Sequence, residues 1–424
     1  MARRVAEETN VGGSNRRTFL KRAGLFSGFL GLGSILKYNT QLFLLRKAPT
    51  EADQPRADWS GSTVKSYRAL GRTGWQMSDI SFGSGAVREP DVVRLALDRG
   101  INYIDTSPDY SDSESERAVG QAVKGRRDKV FIASKFCEPG GHLDKDTPVA
   151  KIIESVEASL QRLATDYIDL LHIHACNDLD RLMAPTFHEA FDRLKEQGKA
   201  RFMGVSSHTP ELETVMNKAV DSGRFDVIMV AYNFKNWPDL TNIIDKAHDK
   251  GVGFVAMKTL KGAYHTVLQD FTPDERSSFT QAAFKWVNTN EKVSGLVVTI
   301  TKPQQVDEYL YASGEQADPT DISLLDKYER LVSAEYCRPG CGECLDSCPY
   351  GLPIDDLLRY TMYFDSYGAE REAMKSYASV LGRTAGRGAE VCAGCAAPCE
   401  AACPFDIPIR KKLVRADRIL RLPA

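Results

Sequence analysis

Between Tyr67 and about Ser313 the chain alternates short β-branched, apolar runs with longer stretches whose apolar residues recur at helical spacing. The short runs are Asp79–Phe82, Asn102–Thr106, Val130–Ser134, Ile168–His174, Arg201–Ser206, Val227–Tyr232, Gly253–Met257 and Gly295–Thr299. Helical patterns between them include Val92–Arg99, Ala150–Leu163, Glu211–Ala219 and Phe279–Val287, and Gly100, Gly198 and Gly251 stand where helices stop before the next strand. Eight strands alternating with helices over roughly 250 residues predict an α/β fold of the (β/α)8 TIM-barrel type. A doubly wound sheet is the rival, but Gly83-Ser84-Gly85 runs on to Arg88 without the third glycine of a dinucleotide loop.

The first 45 residues follow a different pattern. Asn15-Arg16-Arg17-Thr18-Phe19-Leu20-Lys21 precedes a mild, small-residue run from Ala23 to Leu36, and Lys37 ends it short of the ~20 apolar residues of a membrane span. This segment resembles a twin-arginine export signal, with Asn15 where Ser or Thr is usual. The expectation is export to the periplasm or the outer face of a membrane, with membrane association through the N-terminus, or a cytoplasmic protein if the signal is inactive. Residues 46–62 read as a linker, 63–315 as the barrel and 316–424 as a second domain.

In a barrel the chemistry belongs at the C-terminal strand ends. Those ends present Asp105, Lys135 and His174, with Tyr110 in the loop beyond Asp105. A tyrosine titrates near ~10, too high for easy proton transfer at neutral pH. A neighbouring ammonium held by a carboxylate is expected to lower that value. Singly these residues have ordinary readings, as a loop cap, a solvated lysine and a core histidine; together they suggest a proton-transfer site.

Four segments carry a family resemblance: Tyr67-Arg68-Ala69-Leu70-Gly71-Arg72-Thr73-Gly74, Gly100-Ile101-Asn102-Tyr103-Ile104-Asp105-Thr106, Asp166-Tyr167-Ile168-Asp169-Leu170-Leu171-His172-Ile173-His174 and Gly198-Lys199-Ala200-Arg201-Phe202-Met203-Gly204-Val205-Ser206. The chain here resembles the aldo-keto reductases over about residues 64–313. The resemblance implies Tyr110 as general acid toward a carbonyl oxygen, Lys135 and Asp105 tuning it, His174 orienting the substrate, and hydride from NADP(H) or NAD(H). It places Ser206, Ser207, Met257, Lys302 and Gln305 at the cofactor, Lys302 in the phosphate slot and Gln305 in the adenosine slot. Met229 stands where the family has Gln, Met257 replaces the ring-stacking aromatic, and the Ser-Asn pair is Ser206-Ser207. A methionine still packs on a ring through its sulfur.

His172, His174 and Cys176 alternate with period two, which opens a metal reading on one strand face beside the catalytic one. Cys137 follows Lys135 by two, as Cys176 follows His174, so both thiols are expected at the pocket mouth or in packing.

Of 424 residues, 42% are apolar and 26% charged, with a formal net charge of -2, which excludes a disordered chain and speaks against a nucleic-acid binder. Eight of the ten cysteines fall in the tail, as Cys337, Cys341, Cys344, Cys348 and Cys392, Cys395, Cys399, Cys403. Each quartet ends in Cys-Pro, one residue longer than the ferredoxin run C-x2-C-x2-C-x3-C-P. Disulfides and zinc ribbons are the alternatives; close spacing and the duplicated Cys-Pro ending favour two [4Fe–4S] clusters. The tail thus reads as a small α-helical, iron–sulfur-binding domain that resembles dicluster ferredoxins. By that pattern Cys403 joins Cys337, Cys341 and Cys344, while Cys348 joins Cys392, Cys395 and Cys399. Tyr360, Tyr363, Phe364, Tyr367 and Tyr377, in a helical stretch from Ile354 to Leu381, are expected to cover the clusters.

The resulting expectation is an exported iron–sulfur oxidoreductase acting on a small carbonyl or alcohol, with electrons relayed through the clusters and a redox partner protein. The alternative is an electron-transfer or partner-binding protein whose barrel is catalytically degenerate.

Overall fold

The predicted strands are apolar on both faces, and the fold gives each face its own layer to fill. In the computed structural model, which describes residues 56–208, 211–235, 240–260, 277–338, 341–366 and 370–421, eight parallel strands close into a barrel. They are β1 Ile80–Gly83, β2 Tyr103–Asp105, β3 Phe131–Lys135, β4 Ile168–Ile173, β5 Ala200–Ser207, β6 Val227–Ala231, β7 Gly253–Met257 and β8 Gly295–Thr299. Closure, with β8 paired to β1, excludes the doubly wound sheet. The helices that follow the strands in turn are α1 Pro90–Asp98, α2 Glu114–Val123, α3 Val149–Leu163, α4 Pro185–Glu196, α5 Leu212–Ser222, α6 Thr241–Asp249, α7 Phe279–Thr289 and α8 Pro303–Tyr311.

Tyr103, Phe131, Leu170, Val227, Met229, Val255 and Val297 fill the barrel interior, while Ile104, Ile132, Leu171, Val205, Ile228 and Phe254 pack under the helices. A slip of one residue in any strand would exchange the two sets, which fixes the register. A hairpin of Tyr67–Ala69 and Gln76–Ser78, which the hydrophobic pattern does not single out, adds Leu70 and Met77 to the interior set. Gly71 is required there, because a Cβ would fall 2.2 Å from the Gly253 backbone nitrogen.

Buried carboxylates fasten the chain ends of the barrel. Asp79 accepts hydrogen bonds from Ile80 N, Ser313 Oγ and Gly314 N at 2.9, 2.7 and 2.7 Å, joining the entry to β1 with the exit from α8. The proposed export signal lies outside the described residues, as do residues 46–55 of the expected linker. From Arg56 onward that linker is packed: Trp59 is buried against Tyr311, and Gly61 N donates to Asp307 at 3.1 Å.

The tail begins with α9, Pro319–Val332, started by the Asp318 carboxylate, which accepts from Thr320 N and Asp321 N at 2.7 and 2.9 Å. Leu324, Leu325 and Tyr328 of α9 pack on Phe279, Ala282 and Ala283 of α7. Beyond it α10 Ile354–Ser366, α11 Glu370–Arg383 and α12 Ile409–Leu420 enclose a second core with the cysteine loops. Among the described residues no helix is long and apolar enough to cross a membrane.

Candidate functional site

The strand ends bring Asp105, Tyr110, Lys135 and His174 together. Lys135 Nζ donates to both Asp105 carboxylate oxygens at 2.7 and 2.8 Å and to Thr106 O at 2.7 Å. Both side chains are buried, so this ammonium and carboxylate hold each other in place. With its three protons so engaged, Lys135 Nζ lies 4.8 Å from the centroid of the Tyr110 ring, and the His174 ring meets Tyr110 edge-on at 5.9 Å between centroids. Tyr110 is placed by a tight turn in which Ser111, Asp112 and Ser113 are all left-handed, a conformation costing roughly 1–2 kcal/mol per non-glycine residue. Ser111 Oγ to Gly85 O and Ser113 Oγ to Pro108 O offset part of that cost.

The electrostatics correct one expectation. Burial first, and then the charges of Asp105 and Asp109, push the Tyr110 phenol well above its ordinary value instead of lowering it. Lys135 does not reverse this, because Asp105 neutralises its charge. Tyr110 is therefore a protonated donor at neutral pH. Burial and the nearby cations keep His174 neutral, far below the ordinary imidazole range.

The three-residue metal reading on β4 is also corrected. His172 lies inside the barrel against Gly204, where a Cβ would fall 2.5 Å from its Nδ1. Cys176 sits in the outer hydrophobic layer, its Sγ donating to Asp178 O at 3.4 Å. Cys137 is instead beside His174, with Sγ 3.2 Å from Nδ1. Asp109 and His142, which lie in loops that no hydrophobic period singles out, complete this neighbourhood. Its one local signal is Pro139-Gly140-Gly141, which turns the chain back so that His142 pairs with Cys137.

The residues assigned to a nicotinamide cofactor are more dispersed in role. Ser206 and Ser207 are buried at the end of β5, and Ser206 Oγ accepts from Ala175 N at 3.0 Å. Met229 is packed in the barrel interior, with Met257 against the same cluster. Gln305 is buried and holds its own loop: Oε1 accepts from Thr301 N at 2.8 Å and Lys302 N at 3.0 Å, and Nε2 donates to Tyr309 at 3.1 Å. Lys302 is exposed at that loop. Lys302 offers a cation for a phosphate, while the Gln305 amide is engaged within its own loop and Met229 within the barrel interior.

The eight tail cysteines gather as two sets. Burial and then Cys337, Cys403, Cys341 and Cys399 push the Cys344 thiol up to about 12, and burial followed by Cys348, Cys395 and Cys399 does the same to Cys392. Cys348, Cys392, Cys395 and Cys399 line one small cavity with Ile354 and Leu413. Backbone donors already face sulfur, Leu352 N to Cys348 and Ala397 N to Cys395, both at 3.4 Å. Converging thiols with amide donors fit an iron–sulfur cluster, whose iron would favour the thiolates that burial alone disfavours.

Tail helices α10 and α11 reach the barrel mouth. Lys258, just past β7, donates to Tyr363 at 2.8 Å, and Arg371 and Lys375 face Asp112 at 3.3 and 3.4 Å. Tyr363, expected to cover a cluster, thus also bonds to the barrel, while Tyr377 stays in the tail core, its hydroxyl donating to Asp417. Tyr367 lies outside the described residues.

The sequence profile of the Aldo/keto reductase family matches residues 85–330, more than half of the chain, and that of the 4Fe-4S dicluster domain matches 336–407. L-galactose dehydrogenase of Arabidopsis thaliana is 28% identical over 302 residues, covering 62% of this chain and 93% of the relative. Methylglyoxal reductase DkgB of Salmonella typhimurium is 30% identical over 281 residues, covering 62% and 99%. An aldo-keto reductase from Klebsiella pneumoniae, solved in complex with NADPH, shares the fold at a TM-score of 0.52 and 22% identity, covering 63% of this chain and 95% of its own. The chain belongs to the aldo/keto reductase family, as an oxidoreductase whose barrel is followed by a 4Fe-4S dicluster domain.

Proposed function

We propose that the protein interconverts a small carbonyl compound and its alcohol at the barrel mouth, with Tyr110 exchanging the proton on the substrate oxygen and two [4Fe–4S] clusters relaying electrons. The observation that carries this reading is the junction at the mouth, where Tyr110, Lys135 and His174 share the strand ends that α10 of the tail reaches through Tyr363. A carbonyl takes up two electrons and two protons in becoming an alcohol. Clusters held by the two cysteine sets would supply the electrons singly, while Tyr110, kept protonated by burial, supplies the proton to the oxygen and solvent at the mouth supplies the one to carbon. Neutral His174 orients that oxygen, and the Lys135–Asp105 pair fixes the floor beneath the Tyr110 ring. Bound clusters would supply one-electron storage.

The methylglyoxal and L-galactose named for the relatives suggest short aldehydes and aldose sugars as first substrates. Arg16-Arg17 and the small-residue run after them support export by the twin-arginine route, which carries folded, cofactor-loaded proteins. A second reading has a nicotinamide deliver hydride. Exposed Lys302 and the NADPH complex of the Klebsiella reductase favour it; packed Met229 and the engaged Gln305 amide speak against it.

The test is to purify the full chain without oxygen, reduce it with dithionite, and follow methylglyoxal consumption with and without NADPH. Turnover on dithionite alone that Tyr110→Phe abolishes supports the proposal. Turnover only with NADPH supports the second reading, and no turnover in either condition overturns both.

A further inference from the structure

Four side chains outside the cysteine loops converge at the barrel mouth. Asp109 comes from the loop after β2, Cys137 and His142 from the hairpin after β3, and His174 from the end of β4. One ligand-type atom of each lies within 4.8 Å of all the others. Local geometry accounts for two of them. Cys137 and His142 are direct partners across an antiparallel pair, and the turn between them needs Gly141 at a φ of +137°.

The separations suit a metal. Cys137 Sγ is 3.2 Å from His174 Nδ1, and Asp109 Oδ2 is 3.6 Å from that same Nδ1 and 3.7 Å from His142 Nε2. Tetrahedral zinc, with bonds of ~2.0–2.3 Å to nitrogen, oxygen and sulfur, sets its ligands ~3.3–3.7 Å apart. The surroundings orient the ligands as outer partners of metal sites do. Ser107 Oγ donates to Asp109 Oδ1, leaving Oδ2 toward the histidines, and Arg181 holds the His174 carbonyl at 2.7 Å.

We propose that Asp109, Cys137, His142 and His174 bind one divalent ion of the zinc class. A thiolate, two imidazoles and one carboxylate form a borderline-soft set that selects zinc over magnesium or calcium. With all four positions supplied by the protein, the ion is structural: it ties the turn before Tyr110 to β3 and β4. Metal on Nδ1 also leaves the ring proton of His174 on Nε2, as a donor. That consequence rests on His174 orienting a substrate oxygen; the site itself does not.

The test titrates Zn(II) into full-length, anaerobically purified, chelator-treated protein against a chromophoric competitor, with zinc and iron counted by mass spectrometry. The expected result is one zinc per chain in addition to the iron. Cys137→Ser and His142→Gln should each weaken zinc by roughly a hundredfold or more, beyond the loss of an outer partner, with iron unchanged. His142 is 41% exposed on its hairpin, so its variant folds even if Cys137→Ser does not. Co(II) in the wild type should show the visible bands of a tetrahedral site with one thiolate, and lose them in Cys137→Ser. The proposal is overturned if the wild type binds no zinc at micromolar concentration, if both variants bind like wild type, or if zinc enters only as iron leaves. None of these readouts depends on carbonyl turnover, so the site and the proposed activity fail separately.

Discussion

Lys258, one residue past β7, donates from Nζ to the phenol oxygen of Tyr363 in α10 at 2.8 Å, and its ammonium lies 4.9 Å from the centroid of the same ring. The contact joins the substrate end of the barrel to the helix that follows the first cysteine quartet. Burial alone would raise the Tyr363 phenol, but Lys258 and Arg359 together outweigh it and hold the group below its ordinary value.

Replacing Tyr363 with Phe keeps the ring and removes the acceptor. A hydrogen bond to a charged group contributes about 1.5–3 kcal/mol, and here its loss leaves a part-buried ammonium without that partner. Hydrogen exchange should quicken in α10 while the iron content stays constant. If α10 exchanges as in the wild type, the contact does not hold the tail in place.

Tyr110→Phe removes only the proposed proton donor. General acid catalysis contributes typically 10²–10⁴-fold, so carbonyl turnover should fall by about that factor with the cluster spectrum unchanged. Lys135→Met should reduce turnover and also lower stability, because it strands the buried Asp105 carboxylate, a loss of about 3–5 kcal/mol. A Tyr110→Phe variant with wild-type turnover would remove this residue from the chemistry.

The barrel and the convergence of Asp105, Lys135 and His174 were legible because apolar runs set the strands, Asp105 and Lys135 close theirs, and His174 is the first residue beyond β4. The tyrosine's electrostatics were not, since a lysine on the next strand reads as an activating charge until its three protons are seen on Asp105 and Thr106. The alternation of His172, His174 and Cys176 misled for a related reason: the chain leaves β4 after Ile173, and Ala175 is left-handed at a φ of 46°. Strand period no longer applies beyond that point. Asp109 and His142 lie in loops, where no periodicity announces a shared neighbourhood, and the reach of α10 to the mouth is a tertiary contact without a local signal.

The two cysteine sets predict crossed quartets. Cys403→Ser and Cys341→Ser should both damage one cluster, because Cys403 acts on Cys341 although 62 residues separate them in sequence. Cys348→Ser and Cys392→Ser should damage the other, since Cys348 is the first thiol to act on Cys392. Iron analysis and electron paramagnetic resonance of the four reduced variants check this. Paired loss by sequence quartet, with Cys348 behaving like Cys341, would contradict the grouping.

Lys235 predicts how stability follows pH. Its side chain is fully buried beside Glu329 of α9, whose other oxygen is 2.6 Å from Arg338. Burial, opposed by Glu329 and aided by Arg338, brings the Lys235 ammonium down to about 8 from 10.5. Below pH 8 the lysine is protonated in both folded and unfolded chains, and the cost of burying its charge is present in full. Between about 8 and 10.5 the unfolded chain holds a proton that the folded chain has released, so folding becomes more favourable as pH rises. The whole swing is about 3 kcal/mol. In Lys235→Met that swing disappears. The melting temperature of the wild type relative to this variant should therefore climb from pH 8 to 10.5, and a flat difference would show that Lys235 keeps an ordinary ammonium in the folded chain.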